Sequence, residues 1–216
     1  MRAEVARVAV TRATIFSARR FFAMNGAGTK DETDTAPRTF NGDITALPPA
    51  LKPLSEIDHW VAWLWTRGNG SKWTKPPLQP RSPNRRAKNN DPATWSSHAE
   101  AAHVVQERLA HGIGFVLTGT EIAAIDLDHC RDSETGAIDG WAQAIIDRAS
   151  DAYIEVTVSG SGLRVVGTAT GKVTHTRYKV SGHNGAGIEL YRRAVRYSPF
   201  RVFKLATLIP CPTSTR

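Results

Sequence analysis

Residues 121–128 read Glu-Ile-Ala-Ala-Ile-Asp-Leu-Asp, an apolar run that closes on two acids. The run has the length and composition of a strand, and Gly119-Thr120 before it reads as the turn that makes it the hairpin partner of Gly112–Thr118. In a strand, residues i and i+2 point to one face, so Asp126 and Asp128 converge. Two unpaired carboxylates at that separation repel, and one tends to take up a proton. A divalent cation removes the conflict, and Mg²⁺ and Mn²⁺ favour carboxylate oxygens. An Asp-x-Asp pair by itself also occurs in turns and on surfaces. Its place at the end of a buried-looking strand favours the metal reading.

The elements around this strand are short. His59–Thr66 (HWVAWLWT) is apolar and aromatic and reads as a buried strand. Arg67–Asn90, rich in Gly, Pro, Ser and Asn, is expected to be a long loop. Asp91-Pro92 is a helix-start signal, with Ala101, Ala102, Val105 and Leu109 as the apolar stripe that follows. Ile138–Ala149 reads as a second helix with Trp141, Ile145 and Ala149 on one face. Tyr153–Val158 and Leu163–Gly167 are strands around the turn Gly160-Ser161-Gly162, and Gly187–Tyr191 is one more. Short strands with helices between them predict an α+β domain.

That domain is expected over residues 51–197. Residues 1–50 are a disordered extension, and residues 198–216 form a basic, patternless tail. Within the extension, residues 1–23 have the Arg-rich, acid-poor composition of a transit peptide. The preferred reading is sequence upstream of a true start at Met24, because the body has a prokaryotic or viral character. No apolar run in the 216 residues approaches the roughly 20 needed to span a bilayer. Two cysteines, Cys130 and Cys211, exclude a disulfide scaffold and a four-cysteine zinc site and fit a reducing compartment.

Net charge is +8, but its distribution matters more than its total. Residues 1–23 carry +4 and residues 192–216 carry +6, which leaves −2 for the body between them. No acid lies between Asp58 and Asp91 or between Glu155 and Glu189, whereas nine lie from Glu121 to Glu155. One reading is an unevenly charged solvated surface. The sharper one is an acidic centre flanked by basic segments, as an enzyme that holds divalent metals and a phosphate polymer requires.

Two further segments bear on that chemistry. Glu189 in Gly-Ile-Glu-Leu-Tyr would add a third carboxylate from a neighbouring strand, or else is an exposed Glu on a half-buried sheet. Ser159-Gly160-Ser161-Gly162-Leu163-Arg164 combines a turn whose N–H groups can approach phosphates with a cation just past it, or is simply a tight hairpin. The histidines form no metal-spaced cluster. The patterns G-x-S-x-G, C-G-x-C and G-x-x-x-x-G-K-[ST] are absent.

In order along the chain stand WVAWLW, KPPLQP (Lys75–Pro80), NDPATWSS (Asn90–Ser97), GIGFVLTG (Gly112–Gly119), AAIDLDHCRDSETG (Ala123–Gly136), VSGSGLRVVG (Val158–Gly167) and IELYRRAVRY (Ile188–Tyr197). This succession resembles the primase–polymerase (prim-pol) domain of phage and plasmid replication proteins, in the archaeo-eukaryotic primase superfamily. The resemblance spans roughly residues 55–197.

It implies an RRM-like catalytic core with a mixed or antiparallel sheet flanked by helices. It also implies metal-dependent nucleotidyl transfer in DNA replication, with Mg²⁺ or Mn²⁺, nucleoside triphosphates and a single-stranded DNA template. The family's metal-binding, catalytic acids map to Asp126, Asp128 and Glu189. Its nucleotide-binding turn maps to Ser159, Gly160, Ser161 and Gly162. Arg164 stands where the family usually has a histidine and would bind triphosphate as a fixed cation. Lys75, Arg85, Arg86, Lys172 and Lys179 are candidate contacts to the template backbone, and Trp73 is a candidate base-stacking residue or a loop anchor.

After Tyr197 the chain departs from the family's Phe-Thr-x-Thr-Gly-like strand, which suggests a frameshift or truncation there. Relatives often continue into a helicase, expected here as a separately encoded partner. The expected setting is the cytoplasm of a bacterial or phage-infected cell, with no membrane partner. The main alternative is a non-catalytic or truncated remnant that binds single-stranded DNA. A metal-dependent nuclease or other replication-initiation enzyme using the same acids is another. A nucleotide-sugar transferase would rest on Asp-x-Asp alone.

Overall fold

The computed structural model describes residues 36, 37, 39, 41–68, 72–149, 152–172, 174–192 and 197–200. Readings that concern residues 1–35 and 201–216 therefore fall outside the described residues.

The strands are β1 (Trp60–Trp63), β2 (Thr66–Arg67), β3 (Trp73–Thr74), β4 (Pro77–Gln79), β5 (Ser82–Arg86), β6 (Gly112–Val116), β7 (Ile122–Asp128), β8 (Tyr153–Val156), β9 (Leu163–Thr168), β10 (Thr174–Lys179), β11 (Gly187–Arg192) and β12 (Tyr197–Phe200). Two α-helices accompany them, α1 (His98–Gln106) and α2 (Gly140–Ile146). A first five-stranded sheet has the order β12-β6-β1-β4-β5 and a second the order β10-β11-β7-β9-β8, while β2 and β3 form a small ribbon. The pairings are antiparallel. The α+β class expected from the sequence holds, but with two sheets in place of one. No helix among the described residues is long and apolar enough to cross a membrane.

One core serves both sheets. Trp60, Phe115 and Phe200 of the first sheet share a buried cluster with Ala124, Tyr153, Val166 and Tyr191 of the second and with Ala101 and Ala102 of α1. Each large side chain removed from water here stabilises the fold by about 1.5–3 kcal/mol. The buried indoles keep their hydrogen bonds: Trp60 Nε1 donates to Leu54 O at 2.9 Å and Trp63 Nε1 to Ile113 O at 3.0 Å. The opposite face of the second sheet carries Leu127, Val156 and Leu163 and packs against Ala142, Trp141 and Ile145 of α2.

Four sequence expectations need correction. Arg67–Asn90 is not a single loop, because β3, β4 and β5 lie within it. Its Pro and Arg residues hide the pattern; Ser82–Arg86 is an edge strand, where Pro and charge are tolerated. Glu121–Asp128 is not the hairpin partner of Gly112–Thr118, since β7 pairs with β9 and β11 in the other sheet. The segment Leu117–Glu121 thus carries the chain between sheets. Helix α1 does not start at Asp91-Pro92, which cap only a 3-10 turn over Pro92–Thr94. It starts after Ser97, whose hydroxyl and the Glu100 carboxylate form a reciprocal capping box. Leu109 falls beyond the helix and is exposed. Finally, Tyr197–Phe200 is not patternless, for it closes the first sheet against β6.

Candidate active site

The register of the second sheet sets a single row of ionisable residues across all five strands. Arg177 on β10 faces Glu189 on β11, which faces Asp126 on β7, which faces Arg164 on β9, which faces Glu155 on β8. The next row inward is His175, Tyr191, Ala124, Val166 and Tyr153, and most of it belongs to the shared core. The charged row therefore lies on the face turned toward the first sheet, one step from the apolar interior. Asp128 lies one row outward, opposite Gly187, which in turn faces Lys179.

Arg164 ties the row together. Its guanidinium donates from Nε to Asp126 Oδ1 at 2.6 Å and from Nη2 to Asp126 Oδ2 at 3.0 Å, a two-pronged pair. Nη1 lies 3.7 Å from Glu155 Oε1 and donates to the carbonyl of Pro199 on β12. Arg164 and Asp126 side chains are 6% and 14% exposed, and Glu155 is fully buried. Burial opposes the guanidinium's charge, but the Asp126 carboxylate outweighs it, together with Glu155, and holds the proton more tightly than in a free arginine. Tyr153 donates to Glu155 Oε2 at 3.2 Å, and burial followed by the Glu155 charge pushes its phenol above the usual value.

The other acids differ in their partners. Glu189 Oε1 receives Arg177 Nε at 3.0 Å, and His175 Nε2 lies 4.0 Å from Oε2. Asp128 has no hydrogen-bond or ion-pair partner among the described residues. Burial, then the charges of Asp126 and Glu189, raise its carboxyl above the ordinary 3.8.

The end of β7 is fixed locally. His129 takes a left-handed conformation (φ 51°) that stops the strand, and the N–H groups of Cys130 and Arg131 both donate to Ser161 O at 3.1 Å. This fastens the Asp126–Asp128 end to the β8–β9 turn. In that turn Gly160 has φ +82°, and a Cβ on Gly162 would sit 2.7 Å from Leu127 O. Both glycines are required by the backbone. Cys130 is buried, donates to Leu127 O and has its thiol pushed up by burial to about 11, which makes it structural.

The two sheets bound a cleft of about 430 Å³. Asp126, Asp128, Glu189 and Arg164 line one side, with Thr157, Val158 and Ser159 from the β8–β9 turn. Lys72, Lys75, Asn89, Tyr197 and Pro199 line the rest. Of the sequence candidates, the structure thus gathers the three acids, Ser159, Arg164 and Lys75. Gly160, Ser161 and Gly162 shape the turn without lining the cleft. Arg85 and Arg86 lie exposed on the outer strand β5, and Lys172 and Lys179 are exposed beside and on β10. Trp73 packs with Trp63, Trp65 and Val158, as a loop anchor does. Sequence reasoning passed over Glu155 and Lys72. A signal for Glu155 was present, since an acid two residues after Tyr153 in an apolar strand faces inward with it.

The donor set suits a hard cation: three carboxylates lie on one face, one of them partnerless and reluctant to ionise. As the side chains stand, no three His, Cys, Asp or Glu groups among the described residues converge to hold a metal, because Arg164 and Arg177 occupy Asp126 and Glu189.

No family model matches the chain. Comparison with curated proteins nonetheless finds a similar protein whose name agrees with the resemblance of the sequence blocks. Over 145 residues it is 33% identical to a protein of Nitratiruptor phage NrS-1 named DNA Primase-polymerase. The match takes in 66% of this chain and 19% of that protein, so the chain spans about a fifth of its relative's length.

Proposed function

We propose that this domain is a nucleotidyltransferase of a phage, prophage or plasmid replication system, with an RRM-like core that adds nucleotides on a single-stranded DNA template. The observation that carries the reading is the row of acids and cations at a cleft between two sheets, in a chain related to a phage primase-polymerase. Asp128, Glu189 and Asp126 would hold Mg²⁺ or Mn²⁺, which supplies activation of a 3′-hydroxyl and neutralisation of the departing pyrophosphate.

The protein's own residues do the rest. Lys72, Lys75 and the Ser159 hydroxyl give a basic, polar wall for a triphosphate. Arg164 orients Asp126 through its two-pronged pair, so its contribution is positioning. The buried Glu155–Tyr153 pair holds Arg164 from behind. Tyr197 and Pro199 close the cleft from the other sheet.

A second reading is favoured by one observation: the fork of Arg164 occupies both oxygens of Asp126, as suits a domain that binds DNA without transferring nucleotides. Primer extension and de novo initiation with Mn²⁺ or Mg²⁺ separate the two. Nucleotidyl transfer predicts product from the wild type and none from Asp126→Ala plus Asp128→Ala. Equal product from both, or none from either, overturns it.

A further inference from the structure

We propose that the edge strand β10 and its hairpin to β11 form the track for the single-stranded DNA, with Arg177 and Lys179 on successive phosphates and Tyr178 stacked on a base. The proposal rests on the nucleotidyl-transfer reading of the cleft and assigns its polymer a place.

Among the described residues strand β10 pairs with β11 alone, so it is the open edge of the sheet that bears the acids. Alternate residues of a strand share a face. Arg177 faces Glu189 across the ladder, and Lys179 faces Gly187, which faces Asp128. The two cations thus continue the acid rows outward to the rim, on the same face as Asp126 and Asp128. Adjacent strands are about 4.8 Å apart, which puts the β10 backbone about 10 Å from that of β7. A polymer whose end lies at Asp128 has its next phosphates over this rim.

Tyr178 sits between the two cations and points to the other side of the edge. It is 57% exposed, one of two large hydrophobic side chains exposed to that degree among the described residues. No acid interrupts residues 156–188, and Glu189, the acid facing Arg177 across the ladder, is already paired with it. A hollow of about 450 Å³ opens where the hairpin turns, lined by Arg177, Tyr178, Lys179, His183 and Asn184 among others. The turn lies close to the end of β7, since His183 Nδ1 is 3.4 Å from Asp139 Oδ2 and a Cβ on Gly185 would meet the His129 ring at 3.5 Å.

The triphosphate has its own wall within the cleft, at Lys72, Lys75 and Ser159, and Arg177 and Lys179 do not line that cleft. Two separate basic surfaces flank one acidic centre. A transferase needs one for its monomer and one for its polymer. Exposed cations and an aromatic side by side form the combination that binds a single strand without reading its sequence.

The test is fluorescence anisotropy of a labelled oligothymidylate of about 20 nucleotides with the full chain, without metal or nucleotide, at several salt concentrations. Tyr178→Ala is expected to weaken binding about tenfold or more, and Tyr178→Phe to leave it unchanged. Lys179→Ala is expected to flatten the log–log salt slope by about 0.7. Thermal melts of these exposed-site variants serve as the folding control. Wild-type affinity and slope in Tyr178→Ala and Lys179→Ala would overturn the track even if primer extension succeeds, and the cations would then only guard a sheet edge against pairing. Weakened binding in a chain that extends no primer would keep the track and remove the transferase. Absence of oligonucleotide binding by the wild type overturns both.

Discussion

Replacing Arg164 with leucine tests the charged row where it is most deeply buried. The substitution removes the fork on Asp126, at 2.6 and 3.0 Å, and the cation 3.7 Å from Glu155. It leaves two carboxylates that water barely reaches, since their side chains are 14% and 0% exposed. Removing one partner of a buried pair costs about 3–5 kcal/mol. For a chain of this size each kcal/mol moves the melting temperature by about 2–4 °C, so Arg164→Leu is expected to melt roughly 12 °C below wild type at pH 7.

Arg164→Lys keeps the charge but loses the fork, and should fall between the two. Circular-dichroism melts at pH 7 provide the measurement. A shift under about 3 °C would refute the claim that Arg164 is the counter-charge of this site.

Three other outcomes follow from the same geometry. Asp128→Asn is expected to melt above wild type at pH 7; the raised carboxyl favours the folded state below 3.8 and loses that advantage as pH rises through its folded value, so the gain should vanish as pH falls to 3.8. Gly162→Ala should cost about 1–3 kcal/mol in urea unfolding, because its Cβ would press on Leu127 O at 2.7 Å. Cys130 should resist iodoacetamide at pH 8 in the folded chain and react once urea exposes it, as read by peptide mass spectrometry.

The parts of this structure that were legible in the sequence are those where local chemistry decides. The β8–β9 hairpin shows itself through two apolar runs around a Gly-Ser-Gly turn, and β11 through Gly-Ile-Glu-Leu-Tyr. The shared face of Asp126 and Asp128 follows from strand periodicity alone. What stayed hidden depends on neighbours far along the chain. Strand β10, Thr-His-Thr-Arg-Tyr-Lys, is an exposed edge with no apolar alternation to announce it. The partners of β7 are set by pairing across the chain, so a turn signal at Gly119-Thr120 pointed to the wrong neighbour. The same non-local register puts Arg164 opposite Asp126 and Glu155 opposite Arg164, and no spacing rule reveals that row. Helix α1 turned on a choice between two caps, and the reciprocal Ser97–Glu100 box prevailed over Asp91-Pro92.

The central claim is that the acids of the row perform transfer and not only binding. Single-nucleotide incorporation onto a primed template with Mn²⁺, measured beside oligonucleotide affinity for wild type and Asp128→Asn, tests it most directly. Asp128→Asn is expected to bind the template as well as wild type and to lose incorporation by two orders of magnitude or more. Incorporation at the wild-type rate by Asp128→Asn would contradict it.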